Sequence, residues 1–450
     1  MKTFQKILLA TVMFTVLFYD ESIGLNLGIL GISYGLMIVS STPKTNRTQS
    51  FWMLFISVLF SSFAYAWYGD FVSFVAVFLS VLLLAFKSRS KELKSILSVP
   101  VFALTFISFI YRVFLFDLWL PKQKTEGSVQ KVLAVFVIPA VLLATFFGIY
   151  STGSDHFANI LSFNWNIDVW WLIVLTCVGF YFAFSVFNFW IPDFIYAQNH
   201  YLKNDFVQED RVPKPTWSFM DLDSERTSGT VSFFMLNILL VFFIITYNYE
   251  LFYENSKTPS QLSLETHERV NAVIMSITMA ILVILFYFKS NFNFDGKSRS
   301  LKILAKIWIV LNAVLVFSAI AKNAEYFISY GATYKRLGVF AFLLLSLIGL
   351  LFTYIKIQKK KTNAFLFNNM IWYFYGTVLA CSFVNWGGLA TVYNIKNQKG
   401  NLDFLETLKF NEKILQKNFP ENYREIYPNA DGKYEQPFLS RILYYESLKQ

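Results

Sequence analysis

The chain of 450 residues is poor in charge, histidine and cysteine. Charged residues make up only 15% of it, against about 25% in an ordinary soluble domain. Such a low fraction of charged residues excludes a disordered protein, a coiled coil and a typical cytosolic enzyme. The two cysteines, Cys177 and Cys381, both lie in apolar stretches, so we interpret them as small core residues. They are too few for a disulfide scaffold or a metal motif.

Motifs of soluble enzymes are also missing from the sequence. It has no P-loop, no GxGxxG after a strand, no GxSxG and no HExxH. A membrane-embedded transferase would need an acid or base at an interface, for which Asp155, Glu250 and His267 are the candidates. A metal site of His156, His267 and nearby carboxylates would draw its ligands from separate loops. We therefore predict neither a metal nor a cofactor, and an enzyme is the less favoured interpretation.

Apolar residues, in contrast, are abundant, with 55% hydrophobic residues and 19% aromatics. Apolar runs of about 17–22 residues recur, and each can cross a bilayer core of about 30 Å as a helix. They predict an all-α, polytopic transmembrane helix bundle with eleven crossing helices. A cleaved signal peptide is the alternative for the first helix, although no small-x-small site follows it. The predicted spans are Phe4–Tyr19, Asn26–Ser41, Phe51–Trp67, Phe71–Leu84, Gln130–Tyr150, Val169–Trp190, Val231–Tyr249, Val270–Phe288, Ile303–Ala321, Leu337–Ile355 and Phe365–Val384.

The placement of Lys and Arg predicts the topology. The net charge of +10 is better explained by the positive-inside rule than by a nucleic-acid partner. With the N-terminus inside and the ambiguous segment Ile96–Leu120 not crossing, most cations before position 393 lie in cytoplasmic segments. The exceptions are Lys257, Arg269, Lys322, Lys335 and Arg336. We therefore predict that Ile96–Leu120 is an interfacial or re-entrant helix on the cytoplasmic side.

Eleven crossings place the N-terminus inside and the C-terminus outside, which in a bacterial inner membrane is the periplasm. We divide the chain into a transmembrane helical domain, 1–392, and a small polar helical tail, 393–450, expected to pack on the outer ends of the spans. The loop 191–230 is predicted to be cytoplasmic, with little structure of its own, and a partner could dock there. Polar mid-span residues, namely Asn188, Asn237 and Asn312, are expected to form interhelical hydrogen bonds.

Several stretches resemble a bacterial membrane family of unknown function, domain of unknown function 4173. The similar stretches are LFYDESIGLN at 17–26, IPAVLLATFFGIYSTGSDHF at 138–157, LSLETHERVNAVIMSITMAI at 262–281, YFISYGATYKRLGVF at 326–340 and VNWGGLATVYNI at 384–395. The most distinctive is Tyr330-Gly331-Ala332-Thr333 with Arg336, similar to the family's YGLT-x-x-R except that Ala332 replaces the usual Leu. The resemblance implies a polytopic membrane domain and no particular activity.

The predicted topology brings these stretches to one face of the membrane. The candidate binding residues on this outer face are Asp155, His267, Asn271, Tyr330, Gly331, Thr333, Arg336, Asn385 and Trp386. Arg336 runs against the positive-inside bias, so we expect it to have a carboxylate partner or to bind an anionic group. The alternative is a loop that needs Gly331 for its turn and Arg336 for packing.

Three functions remain open from the sequence. The first is a non-enzymatic inner-membrane subunit or sensor that engages a protein or lipid partner through its periplasmic face. The second is a permease for a neutral or lipid-like solute, since the spans hold almost no mid-membrane charge. The third is a membrane-embedded transferase.

Overall fold

The computed structural model describes residues 2–120, 168–211, 218–253, 259–289, 291–422 and 436–448, with position 215 and a few positions between 139 and 150. Within these residues the regular structure is helical, apart from one isolated bridge between Asp205 and Lys361. The described α-helices are α1 (Thr3–Phe18), α2 (Leu25–Ser41), α3 (Gln49–Tyr68), α4 (Phe71–Arg89), α5 (Ser98–Ile107), α6 (Phe109–Val113), α7 (Phe116–Trp119), α8 (Val169–Phe187), α9 (Asp193–Tyr201), α10 (Leu222–Tyr253), α11 (Pro259–Tyr287), α12 (Arg299–Tyr330), α13 (Tyr334–Gln358), α14 (Asn363–Cys381), α15 (Trp386–Lys396), α16 (Leu402–Glu406), α17 (Glu412–Asn418) and α18 (Leu443–Glu446).

Seven helices of the described part are long and apolar enough to cross a membrane. The number rises to eight if α14 and α15, which are bent by 65° at a short break, form one broken span. Helices α1 and α2, with 16 and 17 residues, are shorter than the roughly 20 residues that a span usually needs. The all-helical membrane architecture is confirmed, whereas the count of eleven is not. Most of the predicted span Gln130–Tyr150 lies outside the described residues.

The chain forms two compact units, of which the first comprises residues 1–92, 97–192 and 433–450. In this unit α1 packs along α8, and α2, α3 and α4 pack together. Small residues let α2 and α3 approach closely. An added Cβ on Gly28 would lie 2.8 Å from the Ser62 backbone oxygen. The exposed Cys177 on α8 is not the core residue that its apolar surroundings predicted.

Part of the C-terminal segment packs on one end of this first unit. The Leu25 N–H donates to the Arg441 carbonyl at 2.9 Å, and the Ser22 N–H donates to the Ser440 hydroxyl at 2.7 Å. The Ser440 hydroxyl donates in turn to the Glu21 carboxylate. The connection between α1 and α2 is therefore held by the last described residues of the chain. That this end faces the periplasm remains a prediction.

The second unit comprises residues 93–96 and 193–432 and is organised around α12. Helix α12 packs against α10, α11 and α13, and α13 packs against α14. Their contact is a continuous apolar cluster that includes Phe233, Ile277, Leu315 and Leu350. Burial of such side chains stabilises a helix bundle through close packing.

The loop 191–230 has more structure than we predicted. Helix α9 lies within it, and α10 begins at Leu222, nine residues before the predicted span. Two features favour this early start: the Asp221 carboxylate accepts the Ser224 N–H at 3.0 Å, and Asp223 and Glu225 lie in the first turn. Negative charge there is stabilised by the helix dipole. Counting Asp223, Glu225 and Arg226 as loop was therefore wrong, because they lie in the first turns of a long helix.

The ambiguous segment Ile96–Leu120 is broken into three short helices, α5, α6 and α7. The longest, α5, has ten residues, so none of the three is long enough to cross by itself. The segment packs against α4 and α8, and the Tyr181 hydroxyl donates to the Phe106 carbonyl at 3.3 Å.

The close approach of α2 to α3 gives a first test. Gly28→Ala should lower the free energy of unfolding by about 1–3 kcal/mol, since the added methyl group meets backbone that cannot move aside. Gly338→Ala is the matched control, because nothing lies within 4 Å of a Cβ at that position. Its melting temperature in detergent should stay the same or rise, as Ala favours a helix by about 1 kcal/mol over Gly. Equal melting temperatures for the two variants would contradict the packing described.

Candidate functional site

Six of the nine predicted outer-face residues lie in one joint between α12, α13, α15 and the segment that follows α15. The first part of this joint is the turn from α12 to α13. Gly331 has φ = +85°, a backbone conformation that glycine adopts without strain. Tyr330 ends α12, and the Thr333 hydroxyl accepts the Arg336 N–H at 3.3 Å as the N-cap of α13. The motif thus forms a turn between two consecutive helices, with Gly331 as the C-cap of α12.

Asn394 on α15 holds this turn with two hydrogen bonds. The Ala332 N–H donates to Asn394 Oδ1 at 2.6 Å, and Asn394 Nδ2 donates to the Ala332 carbonyl at 3.0 Å. Both residues are buried. A Cβ on Gly331 would lie 2.4 Å from the same Asn394 oxygen, so only glycine fits there. One side-chain amide therefore satisfies both backbone polar groups of a buried residue.

Among the described residues, Arg336 forms no ion pair with a carboxylate, and its binding of an anionic group stays a prediction. Its guanidinium lies over the ring of Tyr326, 3.9 Å from the centroid, and Nη1 donates to the Gly331 carbonyl. The Arg336 carbonyl accepts a hydrogen bond from Asn323 at 3.0 Å. A cation at the C-terminal end of α12 is stabilised by the dipole of that helix. These contacts favour the packing interpretation of Arg336 over the anion-binding one.

Asn385 and Trp386 attach the start of α15 to the rest of the joint. Asn385 Oδ1 accepts the Gly388 N–H at 2.7 Å as an N-cap, while Nδ2 donates to the Phe410 carbonyl at 2.8 Å. Trp386 Nε1 donates to the Cys381 carbonyl at 2.9 Å. The indole and the amide thereby fix the break between α14 and α15.

The polar segment after α15 completes the joint. A Cβ on Gly387 would lie 1.9 Å from the Lys409 carbonyl, and the Lys409 N–H donates to the Tyr334 hydroxyl at 3.0 Å. Asn411 Nδ2 donates to the Thr391 hydroxyl at 2.7 Å. A small apolar core lies beneath these bonds, formed by Ala332, Ala390, Leu405, Leu408 and Leu415. We call residues 326–336, 385–396 and 402–411 the cap.

The other predicted site residues are not shown to join the cap. Asn271 is exposed on α11. His267 also belongs to α11, and Asp155 lies outside the described residues. The cap also contains three residues that the sequence did not single out, namely Asn394, Tyr326 and Asn411. Asn394 falls within the recognised stretch 384–395, but a lone Asn on a helix gives no sign that it clamps a distant turn.

The mid-span asparagines pack among apolar side chains. Asn237 donates to the Leu304 carbonyl of a neighbouring helix at 3.0 Å, which is the interhelical bond predicted. Asn312 donates instead to Trp308 of its own helix at 2.8 Å. Asn188 does not lie mid-span, because it caps the end of α8. Asn237 Oδ1, Asn312 Oδ1 and Trp308 Nε1 are buried without a hydrogen-bond partner in the described structure.

A second polar cluster lies where α10 and α12 begin. Arg226 binds Asp295 at 2.6 Å and Asp223 at 2.5 Å, beside a cavity of about 530 Å³ that both carboxylates line. Burial raises the pKa of the Asp295 carboxyl, but hydrogen bonds from Arg226 and the Lys297 N–H outweigh it and leave the pKa below its ordinary value. Asp295 therefore remains a carboxylate that holds the loop before α12 to the start of α10.

A fully buried lysine stabilises the end of α11. Lys356 has none of its surface exposed, and its Nζ donates to the Phe288 carbonyl at 2.7 Å. Asn293 donates to the same carbonyl at 2.9 Å, and Asn363 donates to the Leu285 carbonyl at 3.0 Å. The charge pattern counted Lys356 among the cations of the cytoplasmic segments. Its aliphatic stem instead crosses the interface between α11 and α13, and its ammonium caps a helix C-terminus.

The fold and the described site define a polytopic, all-helical integral membrane protein without a recognised catalytic arrangement among the described residues. The chain belongs to a family described as Domain of unknown function (DUF4153), which matches residues 50–413. The resemblance seen in the sequence therefore pointed correctly to a family of unknown function, although the matching family is 4153 and not 4173. No curated protein and no solved structure matches the chain significantly.

The clamp on the α12–α13 turn gives a second test. Asn394→Ala leaves the buried N–H and carbonyl of Ala332 without partners, which should cost about 1–3 kcal/mol for each group. The matched control is Asn397→Ala at the C-cap of the same helix, where an exposed amide donates to the Tyr393 carbonyl of that helix. Melting temperatures in detergent should fall clearly for the first variant and little for the second. Equal falls would show that the clamp does not hold the turn.

The pKa of Asp295 gives a third test. The pKa of Asp295 is lowered in the folded state, so the stability that its carboxylate contributes is complete above the unfolded pKa, about 4. This contribution is lost as the pH falls through the folded pKa. Asp295→Asn should cost about 1.5–3 kcal/mol at pH 7 and progressively less toward pH 3. The exposed Asp193→Asn is the control. The stability lost in Asp295→Asn is measured from melting curves between pH 3 and 7. A loss that did not shrink on acidification would contradict the ion pair between Asp295 and Arg226.

Proposed function

We propose that this protein is a non-enzymatic integral membrane subunit or sensor that docks a partner protein on its cap. We further propose that it lies in the bacterial inner membrane, with the cap on the periplasmic side. The loop 191–230 is a second proposed contact point, on the cytoplasmic side. The observation that carries this proposal is the construction of the cap, which uses the family-like stretches to fix one rigid surface.

The inward side of the cap is occupied by its own contacts. The amides of Asn385, Asn394 and Asn411 and the guanidinium of Arg336 each have partners within the chain. Among the described residues, the inward side of the cap has no free charged group for acid–base chemistry, because Arg336 is committed to a carbonyl and a ring. A rigid, internally satisfied element presents a defined surface to a partner at little entropic cost.

The outward side of the cap offers an apolar pair. Leu389 and Val392 lie one turn apart on α15 and are 56% and 50% exposed, whereas Ala390, Thr391 and Asn394 face the joint. Helix α15 follows the 65° bend after α14 and is bonded to the polar segment after it. Exposed apolar side chains beside a polar segment are typical of a protein contact surface.

A photo-crosslinking amino acid at position 389, introduced in living cells, provides the test. We expect one reproducible protein adduct of defined mass, weakened by Val392→Asp, because that carboxylate would have to be desolvated at the contact. Position 310 on α12, which is also exposed and apolar, is the matched control and should yield no such adduct. Lipid adducts alone at position 389, or the same protein adduct at both positions, would overturn the proposal.

A further inference from the structure

An arginine of the first unit is buried, and its two terminal nitrogens have no hydrogen-bond partner among the described residues. Arg112 lies on α6 and is only 6% exposed. Its Nη1 and Nη2 are inaccessible to solvent and have no hydrogen-bond partner in the described structure. The guanidinium lies 5.3 Å from the centroid of the Phe184 ring. Phe109 and Trp119 pack against the same ring, at 5.5 and 5.6 Å.

This guanidinium is still charged at neutral pH. Burial, followed by the charge of Arg89, lowers the pKa of Arg112 to about 10, which leaves it a cation at pH 7. An ion pair to Arg112 is not present among the described residues, and a buried cation without an anion is strongly destabilising. Contact with an aromatic face repays only part of the lost hydration. The described residues therefore supply no anion to Arg112.

Further positive charge lies next to Arg112. Arg89, at the end of α4, donates from Nη2 to the Phe187 carbonyl at 2.9 Å and acts electrostatically on Arg112. Lys6 on α1 is close enough to Arg89 to feel its charge. Arg89 and Lys6 thereby add positive charge at the end of the unit where Arg112 is buried, and charges of like sign repel one another.

The surroundings of Arg112 indicate where the anion comes from. Three apolar side chains of the same segment, Ile107, Ile110 and Phe114, are each more than two-thirds exposed, as expected for contact with lipid tails. Phe184 and Phe187 lie in the last turn of α8, the end that the charge pattern places at the cytoplasmic leaflet. Phosphate groups of phospholipids are at this depth, and arginine binds phosphate through paired N–H groups.

We infer that Arg112 and Arg89 bind a phosphate group, most simply the headgroup phosphate of a membrane phospholipid. The segment around Arg112 consists of the short helices α6 and α7, separated by a break after Val113, where a headgroup can approach. A soluble phosphate compound has the same binding chemistry, and the experiment distinguishes the two sources. This site is independent of the cap and of the proposed docking function.

The test uses full-length protein stripped of lipid in detergent. Phosphatidylglycerol in mixed micelles should raise the melting temperature of the wild type in a concentration-dependent way, and diacylglycerol, which lacks the phosphate, should not. Arg112→Gln should weaken this binding by about tenfold or more, and Arg89→Gln should weaken it as well. Lys91→Gln, which removes an exposed cation near α4, should bind like the wild type. An equal effect of inorganic phosphate alone would assign a soluble source.

A second readout distinguishes a binding role from a structural one. In the lipid-free protein, Arg112→Gln should melt no lower than the wild type, because it removes an uncompensated buried charge. Asp117 is the nearest acidic residue along the chain, and Asp117→Asn should leave phosphatidylglycerol binding unchanged. The inference is overturned if phosphatidylglycerol and phosphate both fail to stabilise the wild type, or if Arg112→Gln responds as the wild type does. It is also overturned if Asp117→Asn and Arg112→Gln destabilise the lipid-free protein equally.

Discussion

A bilayer offers no water to a polar group, so the polar atoms of this chain must find partners within it. Asn26 illustrates the constraint. It is fully buried, its Oδ1 accepts the N–H groups of Gly24 and Leu27, and its Nδ2 donates to the carbonyls of Leu17 and Ser22. One side chain thereby closes the turn between α1 and α2. Asn394 at the α12–α13 turn and Lys356 at the end of α11 solve the same problem at other helix ends. Side-chain amides and ammonium groups that hydrogen-bond to the backbone at helix termini are thus the main polar contacts that stabilise the two units.

The same constraint makes buried polar groups informative when they have no partner in the described structure. Arg112 differs from Arg336 in its surroundings. Arg336 has a backbone carbonyl as well as a ring, whereas in the described structure Nη1 and Nη2 of Arg112 have no hydrogen-bond partner and the guanidinium lies against a ring. A satisfied arginine indicates a structural role, and an unsatisfied buried one indicates a missing ligand. This contrast places the proposed phosphate site at Arg112, even though Arg336 belongs to the more recognisable motif.

Membership of a family of unknown function leaves the activity to be argued from contacts within the chain. The cap gathers its polar groups for internal bonding and leaves an apolar pair outside, which favours docking over catalysis. Asn237 Oδ1, Trp308 Nε1 and Asn312 Oδ1, which have no hydrogen-bond partner in the described structure, are neutral, and they lie on helices that form the apolar cluster of the second unit. They therefore differ from the charged relays typical of proton-coupled transport.

The sequence by itself determined the all-helical membrane class and the positions of most long helices, because apolar runs of sufficient length must cross or lie in lipid. It also placed Tyr330, Gly331, Thr333, Arg336, Asn385 and Trp386 together, since the charge pattern assigns them to one face. Only the tertiary structure decided what these residues do, because hydrogen bonds between positions 62 residues apart, such as Asn394 to Ala332, leave no local pattern. For the same reason, the charge pattern counted Lys356 and Arg112 as cations of the cytoplasmic side, and only packing showed that both are buried.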